Sequence, residues 1–446
     1  MAETRVYKRR RPERTDYYRI IECRFEELER MWPECFEQKY GYLRKEVVRA
    51  IYAFLDCGIP ESGVARVFCD GCGRDYFLPF SCRQRGACPS CSTKRSILFG
   101  EKIRELVKPI CHVHVTFTIP KNLRAWFRRN RKLLKLMVQS ANWAIRIYFI
   151  EALGIAGGST GGIYCVHSHG KYFNHHPHVH ALVPAGIMKD GVFHELTRLS
   201  SPVIARLFRA RLLKVLLDEG VIRQELVDLL LTWNHNSGFN VHARGRIHGA
   251  DRKAIENVAR YMSRAALSVQ RVKYNRAEDS VTVTKKPFGF SPEESRSYPV
   301  GEFLALLASH IPAPYESLTY YYGVYSSSHR GKQRRQNKED QETELVLIES
   351  GKDTAAGKPT STWARLIRRI FEVDPLRCRK CGAQMRLIAF VTDYRQVSRI
   401  LEHIGEQTIR PPPLTAKTSP PNLSRAEAVD DIPDVDAYVQ DPIYPD

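Results

Sequence analysis

Two short segments of this chain carry residue types able to act on a phosphodiester. In His175-His176-Pro177-His178-Val179-His180, two histidines stand two apart. Residues two apart on a strand share a face, so His178 and His180 present their imidazoles side by side. That pair suits a divalent cation with open positions for substrate oxygens. An isolated His-x-His is equally what surface histidines beside a turn look like. The second segment, Ala254 to Arg264, sets Ile255, Val258, Ala259 and Met262 on one apolar helical stripe. Tyr261 lies at the margin of the stripe, with Arg260 adjoining it and Arg264 one turn on. A phenolate can attack phosphorus, and guanidinium groups offset charge on a transferring phosphate. Taken alone, a tyrosine at the edge of a helical stripe also fits a packing role.

Thiols form a second constellation. Cys69-Asp70-Gly71-Cys72 and Cys88-Pro89-Ser90-Cys91 are two CxxC pairs separated by 15 residues. Each turn can aim two thiolates at one ion, and together they complete a tetrahedral zinc set with a structural role. Cys82 is a further thiol in the intervening loop, either a replacement for one of the four or a buried neighbour. Arg74, Arg83, Arg85, Lys94 and Arg95 surround the cluster, a pattern that fits phosphate contact or a solvated face. Cys378-Arg379-Lys380-Cys381 is a lone CxxC, half of a second zinc site, with His403 as a candidate third ligand; a ligand-free turn remains the alternative.

The elements that must hold these groups follow from composition and periodicity. The chain has 446 residues, and 69 Lys and Arg against 49 Asp and Glu give a net charge of +20. That surplus predicts a polyanionic partner, nucleic acid before anionic membrane. No segment approaches the roughly 18 apolar residues of a membrane span, and the N-terminus lacks the apolar centre of a signal peptide. The expectation is a cytoplasmic protein, associated with the nucleoid, with reduced thiols and no membrane partner. Alternating β-branched residues predict strands at 112–119, 162–167, 178–183 and 280–286. Three- and four-residue periodicity predicts helices at 18–56, 123–153, 201–231 and 252–268. Strands and helices mix without a strict βαβ rhythm, so the fold class expected is α+β with an antiparallel sheet.

The domain scheme has six parts: a basic flexible tail at 1–17; a helical and zinc-binding domain at 18–105; a domain at 106–335 holding the histidines and Tyr261; a linker at 336–360; a small CxxC module at 361–408; and a disordered, acidic, proline-rich tail at 409–446. The basic run Arg128, Arg129, Arg131 and Lys132 is a candidate for DNA-backbone contact, as is the stretch from Arg330 to Lys338. Trp126 or Phe127 could stack on unpaired bases.

Several segments, in order, resemble one family. Cys57-Gly58, Glu61 to Arg66, Phe80-Ser81-Cys82-Arg83 and Cys88-Pro89-Ser90-Cys91 look like the zinc-binding N-terminus of the rolling-circle insertion-sequence transposases. His178-Val179-His180 resembles their HUH motif (His, hydrophobic, His), and Arg260-Tyr261-Met262-Ser263-Arg264 their tyrosine helix. Gly238 to His242, Tyr322-Gly323-Val324-Tyr325, and Cys378/Cys381 with Met385-Arg386-Leu387-Ile388 are similar too. The resemblance runs from about residue 20 to 408.

It implies an enzyme that cuts one strand of single-stranded DNA at an element's end and joins it to target DNA. The tyrosine keeps the 5′ phosphate, the 3′-OH is freed, and neither ATP nor a ligase is required. Carried over, Tyr261 is the nucleophile with Arg264 assisting, and His178 and His180 hold Mg²⁺ or Mn²⁺. A third ligand stays open among His114, Asn257, His175 and His176. Some members carry two tyrosines four residues apart; here position 257 is Asn and position 265 is Ala. A single-tyrosine enzyme needs two protomers, as in a homodimer, or two sequential rounds. Ala265-Ala266 replaces a proline pair common in relatives. The competing readings are a plasmid replication initiator or relaxase of the same chemistry, which would lack the zinc module, and a non-catalytic zinc DNA-binding protein.

Overall fold

The computed structural model describes residues 11–232, 238–284, 294–332, 335, 376–378 and 380–405. The expected linker at 336–360, the acidic tail at 409–446, the first ten residues of the basic tail and most of Arg330–Lys338 lie outside the described residues.

In chain order, three helices come first: α1 (Asp16–Cys35), α2 (Glu37–Tyr40) and α3 (Lys45–Leu55). The hairpin β1 (Val64–Cys69) and β2 (Arg74–Pro79) and the helix α4 (Pro89–Leu106) follow. Next come β3 (Cys111–Thr118), α5 (Arg124–Arg129), α6 (Leu133–Leu153), β4 (Gly161–His169) and β5 (His175–Pro184). A small hairpin, β6 (Gly186–Lys189) and β7 (Val192–Glu195), precedes α7 (Ser201–Asp218) and α8 (Gln224–Thr232). Then come β8 (Asn240–His248), α9 (Arg252–Met262), β9 (Val272–Asn275), β10 (Ser280–Thr284), β11 (Ser295–Pro299), α10 (Val300–His310) and β12 (Thr319–Gly323). Near the end lie β13 (Arg386–Val391) and α11 (Tyr394–His403). The α+β expectation with an antiparallel sheet holds.

The frame is a five-stranded antiparallel sheet in the order β12-β4-β5-β3-β8. Its strands obey the period of two that a sheet covered on both faces demands. Val113, Val115, Phe117, Tyr164, Val166, Val179, Ala181 and Val183 pack into one core with α6 and α7. The alternate residues Ile163, Cys165 and Leu182 pack against α4 and α9 through Phe99, Ile103, Ile255, Ala259 and Met262. The sheet is therefore the middle layer between two sets of helices. A second core joins α1 and α3 to α10 and β9–β11, with Tyr17, Phe25, Phe54, Val281 and Phe303 at its heart. The N-terminal helices and residues 267–311 thus share one apolar cluster.

The expected helices are shorter than their periodicity suggests, for local reasons. The 123–153 stretch breaks at Asn130, whose backbone is extended. The 201–231 stretch breaks around Gly220, at φ +66°. The 252–268 stretch stops at Met262, whose carbonyl is taken by a histidine of the sheet. Among the described residues no helix is long and apolar enough to cross a membrane.

Candidate active site

The alternation that sends Val179 into the core turns His178 and His180 to the opposite face of β5. In the sheet His178 lies opposite Thr118 on β3 and His167 on β4, while His180 lies opposite Thr116 and Cys165. Opposed residues share a face, so His167 joins the pair. A ligand atom from each of His167, His178 and His180 lies within 4.8 Å of the others.

Hydrogen bonds fix the tautomers this site needs. The His178 Nδ1 donates to the His176 carbonyl at 2.8 Å, leaving the Nε2 lone pair free. The His167 Nε2 donates to the Met262 carbonyl at 2.6 Å. Its Nδ1 is then an acceptor, buried and without a hydrogen-bond partner. Around His180, His114 Nε2 and Thr116 Oγ1 lie 3.1 and 3.2 Å from Nδ1, placed to accept its proton. The two Nε2 atoms of His178 and His180 are 3.1 Å apart. Such a separation fits adjacent corners of an octahedral cation with bonds of about 2.1 Å. Burial holds the set neutral: it lowers the His178 imidazole to about 4, with Arg264 adding to the effect. His167 and His180 are pulled well below the usual histidine range, again chiefly by burial. Three neutral nitrogens and one orphaned lone pair fit a divalent cation.

His114, one of the four candidates for a third ligand, takes a different place. It lies opposite Leu182, two pairs beyond His180, and its ring stacks on His180 with centres 5.1 Å apart. Its Nε2 faces the Nδ1 of His180, and it lies outside the group formed by His167, His178 and His180. His176 supplies a backbone carbonyl, His175 stacks on His310, and Asn257 is exposed on α9. No local signal marks His167: Val166-His167 reads as an ordinary strand end, and only the β4–β5 register brings it opposite His178.

Tyr261 projects from the last turn of α9, 44% exposed. Its ring centre lies 5.3 Å from that of His180 and 5.9 Å from that of His114, both edge-on. The Arg264 guanidinium sits over the same ring at 4.5 Å. The stripe read from sequence explains this: Ile255, Ala259 and Met262 bury against the sheet, leaving Tyr261 at the rim. Helix α4 clamps α9 from behind. Arg104 pairs with the buried Glu256 at 3.1 Å. Gly100 lets the helices approach so closely that a Cβ there would lie 2.5 Å from Arg260 Cγ. On the other flank, the exposed His242 and Arg244 of β8 lie opposite Thr116 and His114, extending the site face with basic groups.

The thiols group differently from the expected set of Cys69, Cys72, Cys88 and Cys91. Cys88 and Cys91, at the start of α4, gather with Cys57 and Cys82. Their Sγ atoms lie 3.6 to 3.8 Å apart in the Cys57–Cys88, Cys82–Cys91 and Cys57–Cys91 pairs. Those are the edges of a tetrahedron with Zn–S bonds of about 2.3 Å. Cys69 and Cys72 turn instead toward Cys378 and Cys381. The reason is the hairpin: β1 and β2 carry the Cys69 turn to their far end, away from the loop that holds Cys82. Thus Cys82 is a member of the first set, and Cys57, at the end of α3, is the member that spacing did not reveal. His403 is in neither group.

Three residues of the expected DNA-contacting run, Arg128, Arg129 and Arg131, make contacts within the chain. Arg131 forms a 2.7 Å ion pair with Glu316, both partners mostly buried, and donates to the Ser309 carbonyl. Arg128 donates to the Lys39 carbonyl and lies over the Tyr40 ring, and Arg129 donates to the Gln38 carbonyl. Lys132 is exposed. Phe127 is fully buried, so of the two stacking candidates only Trp126 reaches solvent.

Two family models match the chain in tandem. One, described as a transposase zinc-binding domain, matches residues 17–119, and the other, described as a putative transposase, matches residues 161–334. A transposase for insertion sequence element IS801 from Pseudomonas savastanoi pv. phaseolicola is 24% identical over 375 residues, covering 81% of this chain and 87% of that protein. A putative transposase y4qJ from Sinorhizobium fredii (strain NBRC 101917 / NGR234) is 25% identical over 267 residues, 54% of this chain and 65% of the relative. No solved structure matches the chain.

Proposed function

We propose that this chain, which matches the models of a transposase zinc-binding domain and a putative transposase, cuts and rejoins single-stranded DNA through a 5′-phosphotyrosine on Tyr261. The observation that carries this reading is the edge-on approach of the Tyr261 ring to His180 and His114, under the Arg264 guanidinium.

In the proposed cycle the Tyr261 oxygen attacks a backbone phosphorus. The P–O3′ bond breaks, the 3′ oxygen leaves and takes up a proton, and the 5′ phosphate stays on the tyrosine. In the second step a 3′-OH, from the element or the target, attacks the same phosphorus and releases the phenol. Bond energy is conserved in the ester, so no nucleotide cofactor enters. Arg264 lies where it offsets charge on the phosphoryl oxygens. His242 and Arg244 on the edge strand offer the incoming strand a basic track beside the site. His167, His178 and His180 would hold the cation, with His114 and Thr116 orienting His180. Mg²⁺ or Mn²⁺ bound there would supply electrophilic stabilisation of the phosphate.

The partners in this reading are single-stranded element ends and target DNA. With one nucleophilic tyrosine per chain, two strand ends are held at once only by two protomers. The test is incubation of the protein with end-labelled single-stranded oligonucleotides from the element's termini and Mn²⁺. A protein-linked label that disappears in Tyr261→Phe supports the proposal; cleavage that persists in that variant overturns it.

A further inference from the structure

The thiols that the N-terminal zinc set leaves over meet the far end of the chain. Cys69 and Cys72 stand at the tip of the β1–β2 hairpin, and Cys378 and Cys381 lie just before β13. Cys69 Sγ is 3.4 Å from Cys381 Sγ, and Cys72 Sγ is 3.4 Å from Cys378 Sγ, across 312 and 306 residues. The four sulfurs all lie within 4.8 Å of one another.

The two turns are built alike. Each is CxxC followed by glycine, and both glycines, Gly73 and Gly382, adopt left-handed φ values of +68° and +75°. In each, the glycine N–H donates to the carbonyl of the first cysteine, at 2.8 Å from Gly73 and 3.0 Å from Gly382. The second turn also aims the Lys380 N–H at Cys378 Sγ. Gly71 leaves room for the partner: a Cβ there would meet Ala383 Cβ at 3.0 Å and Cys381 Sγ at 3.3 Å. Among the described residues, the buried apolar cluster around the turns is Val67, Cys69, Cys378 and Met385, with Cys72, Tyr76, Leu78, Leu376 and Ala383 packed against it.

We propose that Cys69, Cys72, Cys378 and Cys381 form a second, separate zinc site that clasps the C-terminal segment onto the N-terminal hairpin. Two thiolate turns of this shape supply the four soft ligands of a closed tetrahedral site. The ion fixes more than the turns. β13 pairs along β1 from Phe68–Arg386 to Val64–Val391, and Arg386 pairs with Asp70. Val397 and Leu401 of α11 bury against Val64. Binding the ion therefore docks residues 376–405 beside the domain that carries the first zinc set. The site lies outside the chemistry assigned to Tyr261, so its test does not depend on strand cleavage.

The test is the metal content of the full chain, purified without chelator, with hydrogen exchange as a second readout. Wild type is expected to hold two zinc ions per chain, and Cys378→Ser/Cys381→Ser one. In the double variant, exchange rises in β1 and β13 while α4 stays protected. Cobalt substitution of the wild type gives a measure free of folding defects: thiolate-to-cobalt absorption should correspond to eight Co–S bonds, the sum of the two four-thiol sets. One zinc in the wild type, absorption for only four bonds, or crosslinked Cys69–Cys381 and Cys72–Cys378 pairs in freshly purified protein would overturn the clasp.

Discussion

The His167 Nε2 donates to the carbonyl oxygen of Met262, the residue after Tyr261, at 2.6 Å. One imidazole thereby ties strand β4 to the end of the tyrosine helix, while the same residue groups with His178 and His180. In the proposed mechanism, placement of the nucleophile and assembly of the cation site would be coupled through this single ring.

His167→Ala should therefore impair both functions. Loss of a ligand or its orienting contact typically weakens metal binding by about 10–100-fold. Cleavage rates titrated against Mn²⁺ should shift to higher concentration by that order, and the maximal rate should fall as the α9 terminus loosens. An unchanged Mn²⁺ dependence would remove His167 from the site.

Gly100→Leu should displace α9. Any Cβ at position 100 would lie 2.5 Å from Arg260 Cγ and 3.1 Å from Glu256 Cγ. Overpacking of this kind costs about 1–3 kcal/mol, readable by urea unfolding. Adduct yield should fall while binding of single-stranded DNA, measured by fluorescence anisotropy, is retained. Wild-type stability together with wild-type cleavage would show that the close approach of α4 does not set the tyrosine.

Arg131 separates a packing role from a DNA role. Its pair with Glu316 has side-chain exposures of 11% and 16%. Removing one partner of a buried pair costs about 3 kcal/mol or more, so Arg131→Met should lower the urea midpoint clearly. A phosphate contact would instead reduce the slope of log affinity against log salt by about 1. The expected outcome is lost stability with an unchanged salt slope.

Zinc removal should reach the nucleophile indirectly. Cys88 and Cys91 flank the start of α4, and the same helix carries Gly100 and Arg104 against α9. A strong zinc chelator, followed by excess Mn²⁺, should leave cleavage depressed, on the order of 100-fold if Tyr261 shifts by about 1 Å. Restored zinc should recover it. Full activity with Mn²⁺ alone would show that the thiol sites do not position α9.

The parts of this arrangement that were legible in sequence are those governed by local periods. The period of two on β5 placed His178 and His180 together, and the helical stripe placed Tyr261 at its edge. What needed register was not legible. His167 joins the site only because β4 pairs with β5 at that offset. Strand β8 was missed because Asn240, His242, Arg244 and Arg246 give it little apolar alternation on an exposed edge. The cysteine partition failed for a related reason. Nearness in sequence favours Cys69 with Cys88, but the hairpin carries the Cys69 turn to the other end of the chain. Arg131 read as surface charge because its partner, Glu316, lies 185 residues away.

In the proposed cycle Tyr261 becomes covalently joined to DNA. This is tested most directly by digesting the protein after reaction with a single-stranded element end and sequencing the DNA-linked peptide by mass spectrometry. One modified peptide is expected, with a 5′-phosphoryl nucleotide on the Tyr261 oxygen. A 5′-phosphoryl nucleotide on any other residue, or cleavage with no linked peptide, would contradict it.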